Sequence, residues 1–422
     1  MKPDLRNRRI GPAGILLIVL LMLAAAWNWW PVGDHVRLTP LATPAAADAR
    51  LPRFAAIPGG GAILSWVEPD GDGHVLKFGV LRDGQWLRQG TVASGQGWFV
   101  NWSDFPSVVA VKGDFWVAHW LVSQPGGQVY DYDIALAVSS DAGRSWREIG
   151  PPHRDGTAAE HGFAVIFTDR DAAGIVWLDG REYFEPAQRA FNPGKSGNFA
   201  LRFTRIFADG SMAPEQVLDD NTCTCCWPAV ASLPTGSIVA WRGRTDGEIR
   251  DNRIAVLHDG AWSKPAGLGG EQWKIAGCPV NGPALAAREN QVLAAWFTAA
   301  DDRPRVRAAL SADGGQSFAP AFDLDDRRPL GRIAALWLDD SHALVSWMAA
   351  PRDEKTSALV VRSIDRDGGT GSSIRLEALS AGRDSGVPQM LRDGARVYFA
   401  WTDKAPQFGI RAGYIPVSAL LP

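Results

Sequence analysis

Four cysteines, grouped in two places, are the residues of this 422-residue chain whose type and spacing point most directly to chemistry. Cys223-Thr224-Cys225-Cys226-Trp227-Pro228 forms one group; Gly277-Cys278-Pro279-Val280-Asn281-Gly282-Pro283 holds the other. Three chemistries suit such a set. In an exported protein two disulfides are the default, and four cysteines allow three pairings. Thiolates also select metal ions such as copper(I) or zinc. A redox role is the third: Cys223 and Cys226 have C-x-x-C spacing, although no βαβ pattern surrounds them. Trp227 stands where covalent haem attachment needs a His.

A second set offers acid–base and anion-binding groups. Asn101 and Asp104 precede one apolar strand, and Glu160 and His161 precede another. Asp179, Arg181, Arg242 and Arg244 follow strands that end in Trp. His161 beside Glu160 is the best candidate for a general base or ligand. A guanidinium matches a carboxylate bidentately, which makes Arg181, Arg242 and Arg244 candidates for an anionic substrate. Which of these groups meet depends on strand order. His119, between Ala118 and Trp120, reads as a hydrogen-bonded core residue. No Walker loop, dinucleotide glycine fingerprint, His-Glu-x-x-His or Gly-x-Ser-x-Gly is present.

The elements that must position these residues repeat along the chain. Short apolar strands end at Trp66, Trp120, Trp177, Trp241, Trp296, Trp347 and Trp401, spaced 54, 57, 64, 55, 51 and 54 residues apart. Most have a second short strand before them, such as Pro283-Ala284-Leu285-Ala286, and an alternating strand after them, such as Val306-Arg307-Ala308-Ala309-Leu310. Three or four antiparallel strands per unit of this size make a β-propeller blade, which buries its faces by stacking on neighbours. The expectation is all-β: a seven-bladed propeller over residues 51–422, with Val36–Thr39 in the linker 35–50 supplying the missing outer strand of the last blade. Six blades with one decayed unit is the alternative. Both cysteine groups open adjacent repeats, so they should meet on one face near the axis.

Two turns carry a sharper signature. Ser139-Ser140-Asp141-Ala142-Gly143-Arg144-Ser145-Trp146 and Ser311-Ala312-Asp313-Gly314-Gly315-Gln316-Ser317-Phe318 both read Ser-x-Asp-x-Gly-x-Ser-aromatic. This resembles the Asp-box of the bacterial neuraminidase repeat found in sialidase-like propellers. Asp83-Gly84 and Asp259-Gly260 look like worn copies. The cysteine motifs, with Trp98–Pro106, Glu160–Phe163 and Trp177–Glu182, are similar to a group of bacterial exported sialidase-like proteins. The resemblance implies the fold and a shared site without naming a substrate. A retaining sialidase uses a Tyr nucleophile and three Arg that clamp the substrate carboxylate. Here the first repeat reads Pro52-Arg53-Phe54-Ala55-Ala56-Ile57-Pro58, a departure from the family's Phe-Arg-Ile-Pro run, and only Tyr398 and Tyr414 lie late enough to match the nucleophile.

Residues 1–34 read as a signal peptide or membrane anchor forming a hydrophobic helix: Lys2, Arg6, Arg8 and Arg9 precede an apolar run from Ala13 to Trp30. Ala24-Ala25-Ala26 offers a cleavage site; Trp27, Trp29 and Trp30 suit a lipid–water interface. The bulk of the chain should then sit on the periplasmic side of the inner membrane, or be secreted. The net charge of -3, from 43 basic and 46 acidic residues, argues against nucleic acid as a partner. These readings point to an envelope propeller whose cysteine-bearing polar mouth binds a small molecule, a glycan, another envelope protein or a metal. An exo-sialidase-type or other glycan hydrolase is the alternative.

Overall fold

The computed structural model describes residues 36–183, 196–350, 356–403 and 409–422. The apolar run from Ala13 to Trp30 lies outside them; among the described residues no helix is long and apolar enough to cross a membrane. Seven antiparallel sheets follow one another along the sequence. The first contains β2 (Arg50–Ala56), β3 (Ala62–Asp70), β4 (Gly73–Arg82) and β5 (Gln85–Gly95). The second contains β6 (Ser107–Lys112), β7 (Phe115–Ser123), β8 (Tyr132–Ser139) and β9 (Arg147–Glu148). The third contains β10 (His161–Asp169), β11 (Ala172–Asp179), β12 (Phe199–Ile206) and β13 (Gln216–Thr222). The remaining sheets begin at β14 (Ala229–Leu233), β19 (Ala284–Arg288), β23 (Pro329–Trp337) and β27 (Gln389–Asp393). Each first strand packs on the first strand of the next sheet, and β27 packs on β2. The ring closes as a seven-bladed β-propeller, not six.

The closure differs in register from the sequence expectation. The outer strand of the seventh blade is β1 (Thr39–Leu41), which pairs antiparallel with β29 (Gly409–Pro416), Thr39 opposite Tyr414 and Leu41 opposite Ala412. Only Thr39 of the expected Val36–Thr39 strand takes part. Val36 and Leu38 instead pack against the apolar cluster that contains Leu336, Phe399 and Ile415. Pairing by the N-terminal segment covers an edge that would otherwise be open.

The recurrent Trp residues do more than fill space. Trp66, Trp177, Trp241, Trp296 and Trp347 are fully buried. A buried indole N–H needs an acceptor, and each donates to a carboxylate: Glu68 (2.6 Å), Asp179 (2.9 Å), Asp219 (2.7 Å), Glu271 (3.0 Å) and Asp325 (2.7 Å). Opposite Trp66, Trp177, Trp241 and Trp296 the residue on the next strand is basic: Lys77, Arg202, Arg253 and Arg307. Each of these cations pairs with the same carboxylate that accepts the indole N–H. The repeat thus encodes an indole–carboxylate–cation unit that satisfies a buried charge in place.

The two Ser-x-Asp-x-Gly-x-Ser turns have the same hydrogen bonds. In one, Asp141 accepts from the Ser139 hydroxyl (2.7 Å), the Ser145 amide (2.9 Å) and the Ser145 hydroxyl (2.7 Å). In the other, Asp313 accepts from Ser311 (2.7 Å) and from the Ser317 amide (2.9 Å) and hydroxyl (2.5 Å). Gly143 and Gly315 have φ of 79° and 85°, the left-handed region that favours glycine. The two apparent worn copies are a different turn. Asp83-Gly84 and Asp259-Gly260 have positive φ at both residues, which is the type I′ pattern of a two-residue hairpin.

Candidate functional site

Antiparallel pairing answers the question of strand order. His161 at the start of β10 lies opposite Asp179 at the end of β11. Strand-entry loops and the turns after the Trp strands therefore share one face of the propeller. Near the entries of the first strands, Leu51, Phe105, Phe163, Trp227 and Val387 belong to one apolar cluster, with the Phe105 and Trp227 rings edge to face at 6.1 Å. The polar groups form separate sites beside this cluster.

Asp104-Phe105-Pro106, Cys226-Trp227-Pro228 and Asn281-Gly282-Pro283 are equivalent segments entering the second, fourth and fifth blades. Their first residues tie blade to blade. Asp104 accepts the Phe163 amide (2.8 Å), Asn281 accepts the Arg332 amide (2.8 Å), and the Cys226 sulfur accepts the Asn281 amide. Phe163 and Arg332 have φ of 52° and 57°, at bulges where β10 and β23 shift register. Bulges bend a strand and re-aim its side chains.

The first polar site joins Asp104, Tyr132 and Glu160. Tyr132 opens β8 and forms a bridge to Glu160, whose neighbour His161 opens β10. The buried Tyr132 hydroxyl lies 2.9 Å from Asp104 Oδ2 and 3.2 Å from Glu160 Oε1. Burial pushes the Asp104 carboxyl up to about 6, against the Phe163 amide and the Tyr132 phenol. Burial and then the charge of Asp104 push Glu160 up to about 8. At neutral pH Glu160 therefore keeps its proton, while Asp104 is ionised. Two carboxyls driven apart in this way can serve as acid and base.

A pH dependence follows from these shifts. Where a carboxyl is raised on folding, the unfolded chain loses a proton that the folded chain retains, so stability falls as pH rises between the two values. For Glu160 the loss runs from the ordinary carboxyl range to about 8, and Asp104 adds the same sign up to about 6. Glu160→Gln should be close to wild type in thermal midpoint near pH 4.5 and more stable than wild type at pH 8. Parallel pH profiles for the two proteins would count against a buried, proton-retaining Glu160.

Successive strand residues point to opposite sides, so Asp133 and His161 face away from Tyr132 and Glu160 and build a second site. The His161 and His153 rings stack nearly parallel, 3.7 Å between centroids. Asp133, Asp155 and Asp179 surround them. Burial and the neighbouring His161 lower the His153 pKa below the ordinary imidazole value. Arg181 is engaged by three carboxylates: Asp179 (2.6 Å), Glu215 (2.9 Å) and Asp155 (3.1 Å). A cleft of about 970 Å³ opens beside this site, lined in part by Gln124, Asp133, His153 and Thr157.

The third site holds the cysteines. Cys225 and Cys278 form a disulfide with Cα atoms 6.2 Å apart, linking the entry loops of the fourth and fifth blades. Cys223 and Cys226 are free and buried, with sulfurs 3.3 Å apart. Cys223 also lies 3.9 Å from the Cys225 sulfur and 3.3 Å from a guanidinium nitrogen of Arg250. The hydrogen bond from Cys226 and then the Arg250 charge draw the Cys223 thiol down, against burial. Burial pushes Cys226 up. The pair therefore favours one thiolate facing one thiol.

The remaining arginine candidates are committed nearby. Arg242 is buried and donates to the carbonyls of Arg250 (2.6 Å), Phe297 (2.8 Å) and Asn281 (3.0 Å), which clips the fourth blade to the fifth. Arg244 pairs with Glu248, which also accepts from Arg250 at 2.8 Å. His119 is buried, with Nδ1 2.9 Å from the Ser107 hydroxyl. Tyr398 is buried in its strand. Sequence reasoning passed over Tyr132, Asp133, His153 and Asp155. A Tyr-Asp pair opening an apolar strand was the one local signal for the first two.

No protein-family profile and no curated protein matches the chain. Solved structures match at the level of fold. A Dyadobacter fermentans protein of unknown function superposes with a TM-score of 0.51 and 14% identity, over 90% of this chain and 98% of the other. An α-L-arabinofuranosidase of Fusarium graminearum with an iminosugar inhibitor gives 0.50 and 10% identity, over 92% and 98%. A polysaccharide lyase gives 0.50 and 8% identity, over 94% and 95%. At such identities the likeness concerns chain topology.

Proposed function

We propose that the protein is an exported propeller of the cell envelope that holds a soft metal ion, copper(I) before zinc, between Cys223 and Cys226. The observation that carries this reading is the pair of free, buried sulfurs 3.3 Å apart. Arg250 favours the thiolate form of Cys223, and thiolates select copper(I) and zinc over harder ions. Two sulfurs suffice for copper(I). Zinc prefers four ligands, and Cys225 and Cys278 are already joined. The charged and apolar segments before residue 35 support export, and a disulfide suits an oxidising compartment.

The test is a copper(I) titration of the full chain against a competing chelator. One equivalent should bind, more tightly as pH rises and Cys226 gives up its proton. Cys223→Ser and Cys226→Ser should each abolish that binding, while Glu160→Gln leaves it intact. Failure of wild type to compete for copper(I) or zinc, with both thiols free to alkylation, rejects the reading.

A second reading, glycan hydrolysis, draws on the Asp104–Tyr132–Glu160 arrangement and on the glycan-acting names of two fold relatives. Glu160 would donate a proton to the leaving oxygen, as a raised carboxyl does in glycosidases. Arg181, Arg242 and Arg244 are already paired within the protein, which favours a neutral sugar over a carboxylate-bearing one. Sugar release lost in Glu160→Gln but kept in Cys223→Ser would favour this reading.

A further inference from the structure

We infer that the stacked pair His153 and His161, with Asp133, forms a divalent-cation site of the zinc class on the cleft between the second and third blades, independent of the cysteines. Asp133 Oδ1 lies 3.3 Å from His161 Nδ1 and 3.5 Å from His153 Nε2. On the opposite edge, Asp155 Oδ2 lies 3.4 Å from His161 Nε2 and 3.7 Å from His153 Nδ1. Each imidazole therefore has a carboxylate oxygen at both ring nitrogens.

A neutral imidazole has one N–H and one lone pair. Facing carboxylates on both edges, each neutral ring must turn its lone pair toward an anionic oxygen. Two imidazolium rings would avoid that, but they would bring like charges face to face at 3.7 Å. Both nitrogens of His161 and Nε2 of His153 are buried with no aligned hydrogen-bond partner, and His161 is fully buried. Unpaired buried polar atoms of this kind are costly and call for a partner.

The two edges differ in what already neutralises them. Arg181 lies against Asp155 and Asp179. Asp133 accepts from the uncharged Gln124 side chain at 2.7 Å, and among the described residues no Lys or Arg pairs with it. The Asp133 edge therefore presents an anionic oxygen to two imidazoles with no guanidinium or ammonium group beside it among the described residues. Asp133, His153 and His161 each offer a donor atom there, all within 4.8 Å of one another. Two imidazole nitrogens and one carboxylate oxygen form a donor set that zinc accepts. Asp133 and His153 also line the cleft, so water or a ligand can reach a further coordination position.

The experiment uses the full chain carrying Cys223→Ser and Cys226→Ser, which removes the free thiols. After chelator treatment and dialysis, Zn2+ is titrated, and Co2+ serves as a spectroscopic probe. One equivalent of Zn2+ should bind, and Co2+ should give visible ligand-field bands without sulfur-to-cobalt charge transfer. His161 is fully buried, so its replacement would test folding as much as ligation. The cleft-side variants His153→Gln and Asp133→Asn are used instead, with folding checked by circular dichroism. Each should weaken Zn2+ at least about tenfold, the scale seen for loss of groups that support a metal site. No Zn2+ uptake, or uptake unchanged in both folded variants, overturns the assignment. Because the free thiols are absent, this result is separable from that of the copper titration.

Discussion

Replacing Trp241 by Ala should destabilise the folded chain by about 3–5 kcal/mol, the range for truncating a buried Trp to Ala. Trp241 is fully buried in the cluster that also contains Val239, Phe203 and Leu257. Its indole N–H donates to Asp219 Oδ2, and Arg253, directly opposite on the next strand, binds the same carboxylate at 2.8 Å. The variant therefore leaves a cavity and deprives a buried carboxylate of one of its donors. The strand Gly236–Arg242 is paired on both sides within its blade, so the loss should appear as a lowered denaturant midpoint with an unchanged slope. Leu87→Ala is the control, because Leu87 is 58% exposed. An unchanged midpoint for Trp241→Ala, with binding lost instead, would mean that this Trp contacts a ligand.

Replacing Cys278 by Ser should lower stability by about 2–4 kcal/mol, the usual range for loss of a cross-link. The disulfide to Cys225 spans 53 residues, from the entry of the fourth blade to the entry of the fifth. Without it the unfolded chain regains the entropy of that loop, whereas Arg242 still clips the same two blades through the Asn281 carbonyl. The native fold should therefore persist. Denatured wild type should show two reactive thiols and the variant three. Reductant should lower the wild-type midpoint to that of the variant and leave the variant unmoved. Equal midpoints for oxidised and reduced wild type would argue that no bond joins these blades. The variant also leaves the Cys225 thiol free beside Cys223, whose sulfur lies 3.9 Å from it in the native structure, so its copper stoichiometry is a useful second reading.

The propeller is legible in the amino-acid sequence, with seven blades expected and six as the alternative; the packing of the seventh sheet on the first decides for seven. A Trp-ending apolar strand every 51 to 64 residues specifies one buried second strand per unit, and its continuous apolar run suits a strand covered on both faces, as stacked blades cover it. That Lys77, Arg202, Arg253 and Arg307 stand opposite Trp residues, and share a carboxylate with them, appears only when the strands are paired.

The meeting of the two cysteine groups followed from topology, because first strands of adjacent blades are neighbours. Which sulfurs bond and which stay free did not, since Cys223, Cys225 and Cys226 are too close in sequence for spacing to separate them. The register of the closing strand was decided by packing: Val36 and Leu38 pack, partly buried, against an apolar cluster, and pairing begins only at Thr39.

The sites depended most on tertiary structure. Glu160 and His161 are adjacent, yet strand alternation sends one to Tyr132 and Asp104 and the other to His153 and Asp133. Arg242 has the sequence profile of an anion-binding group, but three carbonyls from two adjacent blades take its donors. A side chain's type states which bonds it can make. Its partners here come from segments tens of residues away, and only the stacking of the blades brings those segments within hydrogen-bonding distance.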